Sequence, residues 1–153
     1  MQQPVRHSQR GFGLIESLVA LVVISVGMIG IAALYGQGLR ASTTAFYRTH
    51  AVNLAADMAD RIRVNRRGGA SYGGAAANNP CGAGGGANCT PAQMAAYDLF
   101  VWQAQVAAQL PAGVGAVVFA GTTPPTYTIR ITWSEAGVGV LPPYVVAVRV
   151  PNW

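Results

Sequence analysis

The chain has no lysine, only five carboxylates, two histidines and two cysteines in 153 residues, and its positive charge comes from ten arginines. Charged residues are 10% of the sequence, well below the usual quarter or so for a globular domain. The net charge of +5 therefore rests on few groups, and that sum alone does not point to a nucleic-acid partner. His7 and His50 are too few for a histidine metal cluster. Cys81 and Cys89 cannot make a four-thiolate site, and they bracket a glycine-rich loop; an even pair so placed suits a disulfide formed in an oxidising compartment. The glycine tract is not followed by Lys-Ser/Thr, so it is not a phosphate loop. No proline lies between Phe12 and Arg67, so no residue there obliges a helix to stop.

What the chain does have is apolar surface, 52% of residues, concentrated at one end. Residues 1–11 are polar and basic, with Arg6, His7 and Arg10, and read as a short cytoplasmic leader. Residues 12–35 form a hydrophobic segment in which Leu18 to Tyr35 alone reaches the length a membrane-spanning helix needs, about 17–25 residues. Within that run stands Glu16, a carboxylate among aliphatic neighbours. Such a group is expensive in lipid, so a chain that keeps one there is expected to use it. Residues 36–67 carry the helical period onward: Tyr47, Ala51, Leu54, Met58 and Ile62 make one apolar stripe, with Asp57 and Arg61 paired on the polar side. The expected element is one helix ending at "RRGG", where Arg66 and Arg67 complement the dipole and Gly68 caps.

Residues 68–153 are expected to form the globular region. It opens with an irregular Gly-rich loop, closed in part by Cys81 and Cys89. "TPAQ" follows, with Thr90 as N-cap, Pro91 first in the helix and Gln93 completing a capping box. The helix 91–109 buries Ala95, Leu99, Trp102, Val106 and Leu110, and Pro111 stops it. The period then changes to two, giving strands 116–120, 126–133 and 144–150, with Tyr127, Ile129, Ile131 and Trp133 on one face. A Gly-rich turn around Glu135 to Gly139 joins the last two. The result is an α+β fold, a long helix over a small antiparallel sheet with a second, short helix.

The stretch "RGFGLIESLVALVVISVGMIGI" resembles the N-terminal signal of type IV pilins and type II secretion pseudopilins. The resemblance implies a pilin-like fold, cleavage by an inner-membrane prepilin peptidase between Gly11 and Phe12, and N-methylation of Phe12. It also implies that Glu16, fifth from Phe12, acts in subunit assembly by meeting the freed amine of a neighbouring subunit. "NLAADMADRIRVNRRGG", the Cys81 and Cys89 pair, "AYDLFVWQ" and "YTIRITWSE" resemble PilV-type minor pilins. That narrower resemblance implies a subunit in the bilayer of the inner membrane, with its C-terminal region in the periplasm, later incorporated into the pilus. Its partners would be other minor pilins, the major pilin and the assembly platform, in an initiating tip complex that displays an adhesin. It implies no cofactor, no metal and no enzymatic activity. A minor pseudopilin of type II secretion and a DNA-binding uptake pilin are the alternatives.

Other residues read as structural. His7 would leave with the leader, and His50 is expected to be solvated. Asp57 and Asp60 lie beside arginines, which favours pairing over acid–base chemistry. Arg61, Arg63, Arg66 and Arg67 read as a solvated helix end and not as a nucleic-acid site. Trp102 and Trp133 sit on apolar stripes and are expected in the core.

Overall fold

A computed structural model describes residues 13–81, 88–137 and 139–151. The chain divides into two compact units after Ser42. One helix, α1 (Leu14–Val64), begins in the first unit and ends in the second.

In the first unit every helical residue is exposed, and apolar side chains from Leu14 to Leu39 point in all directions. The helix stays unbroken through Gly27 and Gly30. Ser25, the one hydroxyl in the middle of the run, donates to the carbonyl of Leu21 at 2.7 Å, which satisfies it within the helix itself. Mean hydropathy reaches 2.6 over an 18-residue window, so by length and composition this helix can cross a membrane.

In the second unit α1 buries Ala51, Leu54, Ala55, Met58, Ala59 and Ile62, the three-and-four spacing of a helix with one apolar face. The expected end at Arg67 is corrected: α1 stops at Val64, and Arg66–Gly73 winds as a 3₁₀ helix. Asn65 donates its side-chain amide to the carbonyl of Pro91 at 2.9 Å, which ties the turn to the start of the next helix. Gly68 is not a cap. It is buried in a close approach, where an added Cβ would lie 2.8 Å from Asn65 Nδ2 and 2.9 Å from Tyr72 Cε2. The positive φ of the turn, 49°, belongs to Gly69, where a side chain would be strained.

Helix α2 (Pro91–Gln109) begins at Thr90, whose hydroxyl accepts from Gln93 N at 3.3 Å while Gln93 Oε1 accepts from Thr90 N at 2.9 Å. Three antiparallel strands follow, β1 (Val114–Ala120), β2 (Thr126–Thr132) and β5 (Tyr144–Arg149), in the spatial order β1-β2-β5. Val117 faces Ile129, which faces Val146. In place of the simple turn expected near Glu135, β3 (Ser134–Glu135) and β4 (Gly139–Val140) pair as a short ribbon. Trp133 falls outside β2 yet is only 3% exposed. One apolar cluster joins α1, α2, the 3₁₀ turn and the sheet: Met58, Ile62, Tyr72, Leu99, Trp102 and Ile129 are all within it. This is an α+β pilin-like architecture.

Candidate functional site

Two regions hold the chemistry, the start of α1 and a polar network in the second unit. Gly11 and Phe12, the expected cleavage pair and methylation site, lie outside the described residues. Glu16 stands in the first turn of α1, exposed, with its backbone N–H bonded to Gly13 O at 3.0 Å. A carboxylate there complements the helix dipole, worth about 0.3–1 kcal/mol when exposed. The only other charged residue among those described up to Ser42 is Arg40, 24 residues further on. At 1.5 Å per residue that is roughly 36 Å along the axis. Glu16 therefore has no ion-pair partner among the described residues.

The second unit carries a network that the sequence showed only in part. Arg61, half-buried, pairs with Asp57 as expected, Nε to Oδ2 at 2.9 Å. It also reaches Asp98 on α2, Nη1 to Oδ1 at 3.2 Å. The other oxygen of Asp98 accepts from the Tyr72 hydroxyl at 2.7 Å. Tyr72 is fully buried, so the glycine-rich stretch, expected as an irregular loop, contributes a large side chain to the core. Burial pushes its phenol above the ordinary tyrosine range, and the bond to Asp98 reinforces the shift. Burial also raises Tyr127. Tyr72 was findable as the one large side chain in "GGASYGG"; Asp98 gave no local signal.

Glu135 was also missed. It is 7% exposed, and its carboxylate accepts from Trp133 Nε1 at 3.0 Å and from Thr44 Oγ1 at 2.6 Å. It thus ties the β3–β4 ribbon to α1. His50, expected to be solvated, is half-buried, with Nδ1 3.0 Å from Gln109 Oε1 and its ring 4.4 Å from that of Phe46. Arg63 pairs with Asp60 at 2.6 Å, and Arg66 Nε donates to Arg63 O at 3.1 Å. The arginine cluster is therefore partly neutralised by its neighbours. Trp102 and Trp133 are buried, as their stripes indicated.

Cys81 and Cys89 are bonded, with Cα atoms 5.8 Å apart, and Cys89 immediately precedes the Thr90 cap. Beside it lies a groove of about 540 Å³ lined by Asp57, Asp60, Val64, Pro91 and Met94. Among the described residues no three His, Cys, Asp or Glu side chains are grouped to hold a metal ion. The carboxylates at this groove are engaged by Arg61, Arg63 and Tyr72, an arrangement that fastens elements together.

Residues 6–32 match the family model described as Prokaryotic N-terminal methylation motif, and residues 33–100 match the one described as Type IV pilin Tt1218. No curated protein matches the chain, and no solved structure does.

Proposed function

We propose that this chain is a type IV pilin and, within that family, a minor pilin that takes part in initiating pilus assembly and in the tip complex; the two matched family models support the reading. Glu16 carries the reading. It is a carboxylate on a helix apolar all round, with the nearest helical cation roughly 36 Å away by helix rise. Cleavage after Gly11 frees the amine of Phe12, and a neighbouring subunit can bring that charge to Glu16. Pairing a carboxylate otherwise alone in an apolar bundle is worth several kcal/mol, enough to set the axial register of an incoming subunit.

In this reading residues 1–11 are removed, residues 12–35 hold the inner membrane and then the filament core, and the part from residue 68 onward is periplasmic. The disulfide supports that side, because such bonds persist in oxidising compartments. A minor role is supported by the disulfide preceding α2 where major pilins close a C-terminal loop, and by a helix without proline.

The test is the mature N-terminus and one substitution. Mass spectrometry of protein from native membranes should give a chain beginning at methylated Phe12. Glu16→Ala should insert normally but be absent from sheared pili. Normal incorporation of that variant, or functional protein that retains its first eleven residues, overturns the mechanism. Deletion that abolishes protein secretion and spares surface pili would assign the chain to type II secretion instead.

A further inference from the structure

We propose that the free edge of β5 receives one extended strand from another polypeptide, a short segment alternating apolar and acidic residues. The proposal stands on the second unit alone and does not depend on the pilus reading. Val150 N donates to Pro125 O at 3.1 Å, which continues the β2–β5 register. Hydrogen-bonding direction alternates along a strand. Tyr144, Val146 and Val148 therefore direct their backbone groups to β2, while Val145, Ala147 and Arg149 direct theirs away from the sheet.

The opposite edge is not equivalent. At β1 the carbonyl of Gly115 already accepts from Gln103 Nε2 at 3.2 Å, and the backbone of Gly73 lies so close that an added Cβ would sit 3.1 Å from Phe119 N. The β5 edge is bounded by Pro142 and Pro143 before it and Pro151 after it. Prolines deny a donor to continued pairing, so the open window is limited to one short strand.

Charge and shape select the occupant. At the start of β5 a groove of about 290 Å³ is lined by Arg48, Val52, Trp133, Pro142, Pro143 and Tyr144. It offers an apolar floor and one cation. The outer face of the sheet carries Val114, Val118 and Val145 with Arg130 and Arg149, and no carboxylate. Arg48, Arg130 and Arg149 make no ion pair with any described residue. An added strand has period two, so its acids all turn to the outer face, where Arg130 and Arg149 stand, while its apolar side chains turn to the α1 side and cover the groove floor and Val52, which is 43% exposed. Strand addition takes affinity from main-chain hydrogen bonds and specificity from such alternate contacts. A second copy of β5 supplies no acid, and so is the poorer occupant.

The probe is a blocked seven-residue peptide alternating valine and glutamate, with its valine–lysine counterpart, added to the full chain in detergent micelles. Amide exchange is read residue by residue. The free chain should exchange quickly at Val145, Ala147 and Arg149 and slowly at Val146 and Val148. The acidic peptide should slow the first three at least tenfold, and the basic peptide should not. Arg130→Glu with Arg149→Glu should reverse that preference. Ala147→Pro, whose lost N–H lies on the free side, should remove protection at Val145 and Arg149 and leave Val146 and Val148 slow. Equal effects of the two peptides, or none, overturn the proposal. Protection that grows with protein concentration alone overturns it in favour of self-pairing.

Discussion

Trp102 on α2 donates its indole N–H to the backbone carbonyl of Leu54 on α1 at 2.8 Å. The same ring rests on β1, where a Cβ added to Gly115 would stand 2.5 Å from Trp102 Cζ3. One fully buried side chain thus sets the spacing of two helices and a strand. Gly115 is a glycine because the indole occupies the place of its side chain.

Gly115→Ala should destabilise the protein by about 1–3 kcal/mol through overpacking. In a Trp102→Phe background the added methyl meets a smaller ring, so the two changes should not add. A coupling of roughly 0.5–3 kcal/mol is expected from the double-mutant cycle, measured by urea unfolding of the full chain in micelles and followed by far-ultraviolet circular dichroism. Additive effects would mean that the ring does not dictate the glycine.

Alkaline pH should weaken the fold. The phenols of Tyr72 and Tyr127 are raised in the folded state, above an unfolded value of about 10. Their stabilisation is therefore complete below about pH 10 and is lost as pH climbs toward the folded values, because unfolding then releases a proton. Thermal midpoints between pH 8 and pH 11 should fall, and Tyr72→Phe should fall less steeply from a lower start. A parallel pH dependence in that variant would remove Tyr72 as the cause.

The ion pairs should separate by burial. Asp98→Ala removes the acceptor shared by Tyr72 and Arg61, and should cost about 1.5–3 kcal/mol, tempered because the Tyr72 hydroxyl also lies 3.2 Å from Arg61 O. Asp60→Ala breaks an exposed pair with Arg63, 71% and 53% accessible, and should change stability by less than about 1 kcal/mol. Comparable losses in urea unfolding would contradict this ranking.

Glu135→Gln keeps an acceptor for Trp133 Nε1 and turns its amide NH2 to Thr44 Oγ1, whose hydroxyl then accepts, whereas Glu135→Ala leaves the buried indole N–H without an acceptor. The alanine variant should lose about 1–3 kcal/mol, and the glutamine variant clearly less. Near-ultraviolet circular dichroism of Trp133 should change in the first and be retained in the second.

The sequence was legible where structure is set by neighbours a few residues apart. Ala51 to Ile62, Ala95 to Leu110 and Tyr127 to Ile131 bury the faces their spacing indicated, and "TPAQ" forms the cap it spells. It was illegible where the deciding partner is remote in the chain. Arg66 and Arg67 left α1 for a 3₁₀ turn while Asn65 reaches Pro91 and Tyr72 requires burial, and neither pull is visible in "RRGG". Glu135 reads as a turn residue until Thr44, 91 positions away, is beside it. Glu16, the centre of the functional reading, was conspicuous for the opposite reason, since its local surroundings argue against it.

The internal bond from Ser25 to Leu21 has a consequence for traffic. From Leu18 to Ala33 every other side chain is hydrocarbon, thioether or a bare hydrogen, so this stretch makes no demand on its surroundings that one oily medium meets and another does not. Exchanging fatty acyl tails for the flanks of sibling helices is close to neutral along its whole length. In the proposed assembly role, the direction of that exchange is what Glu16 supplies.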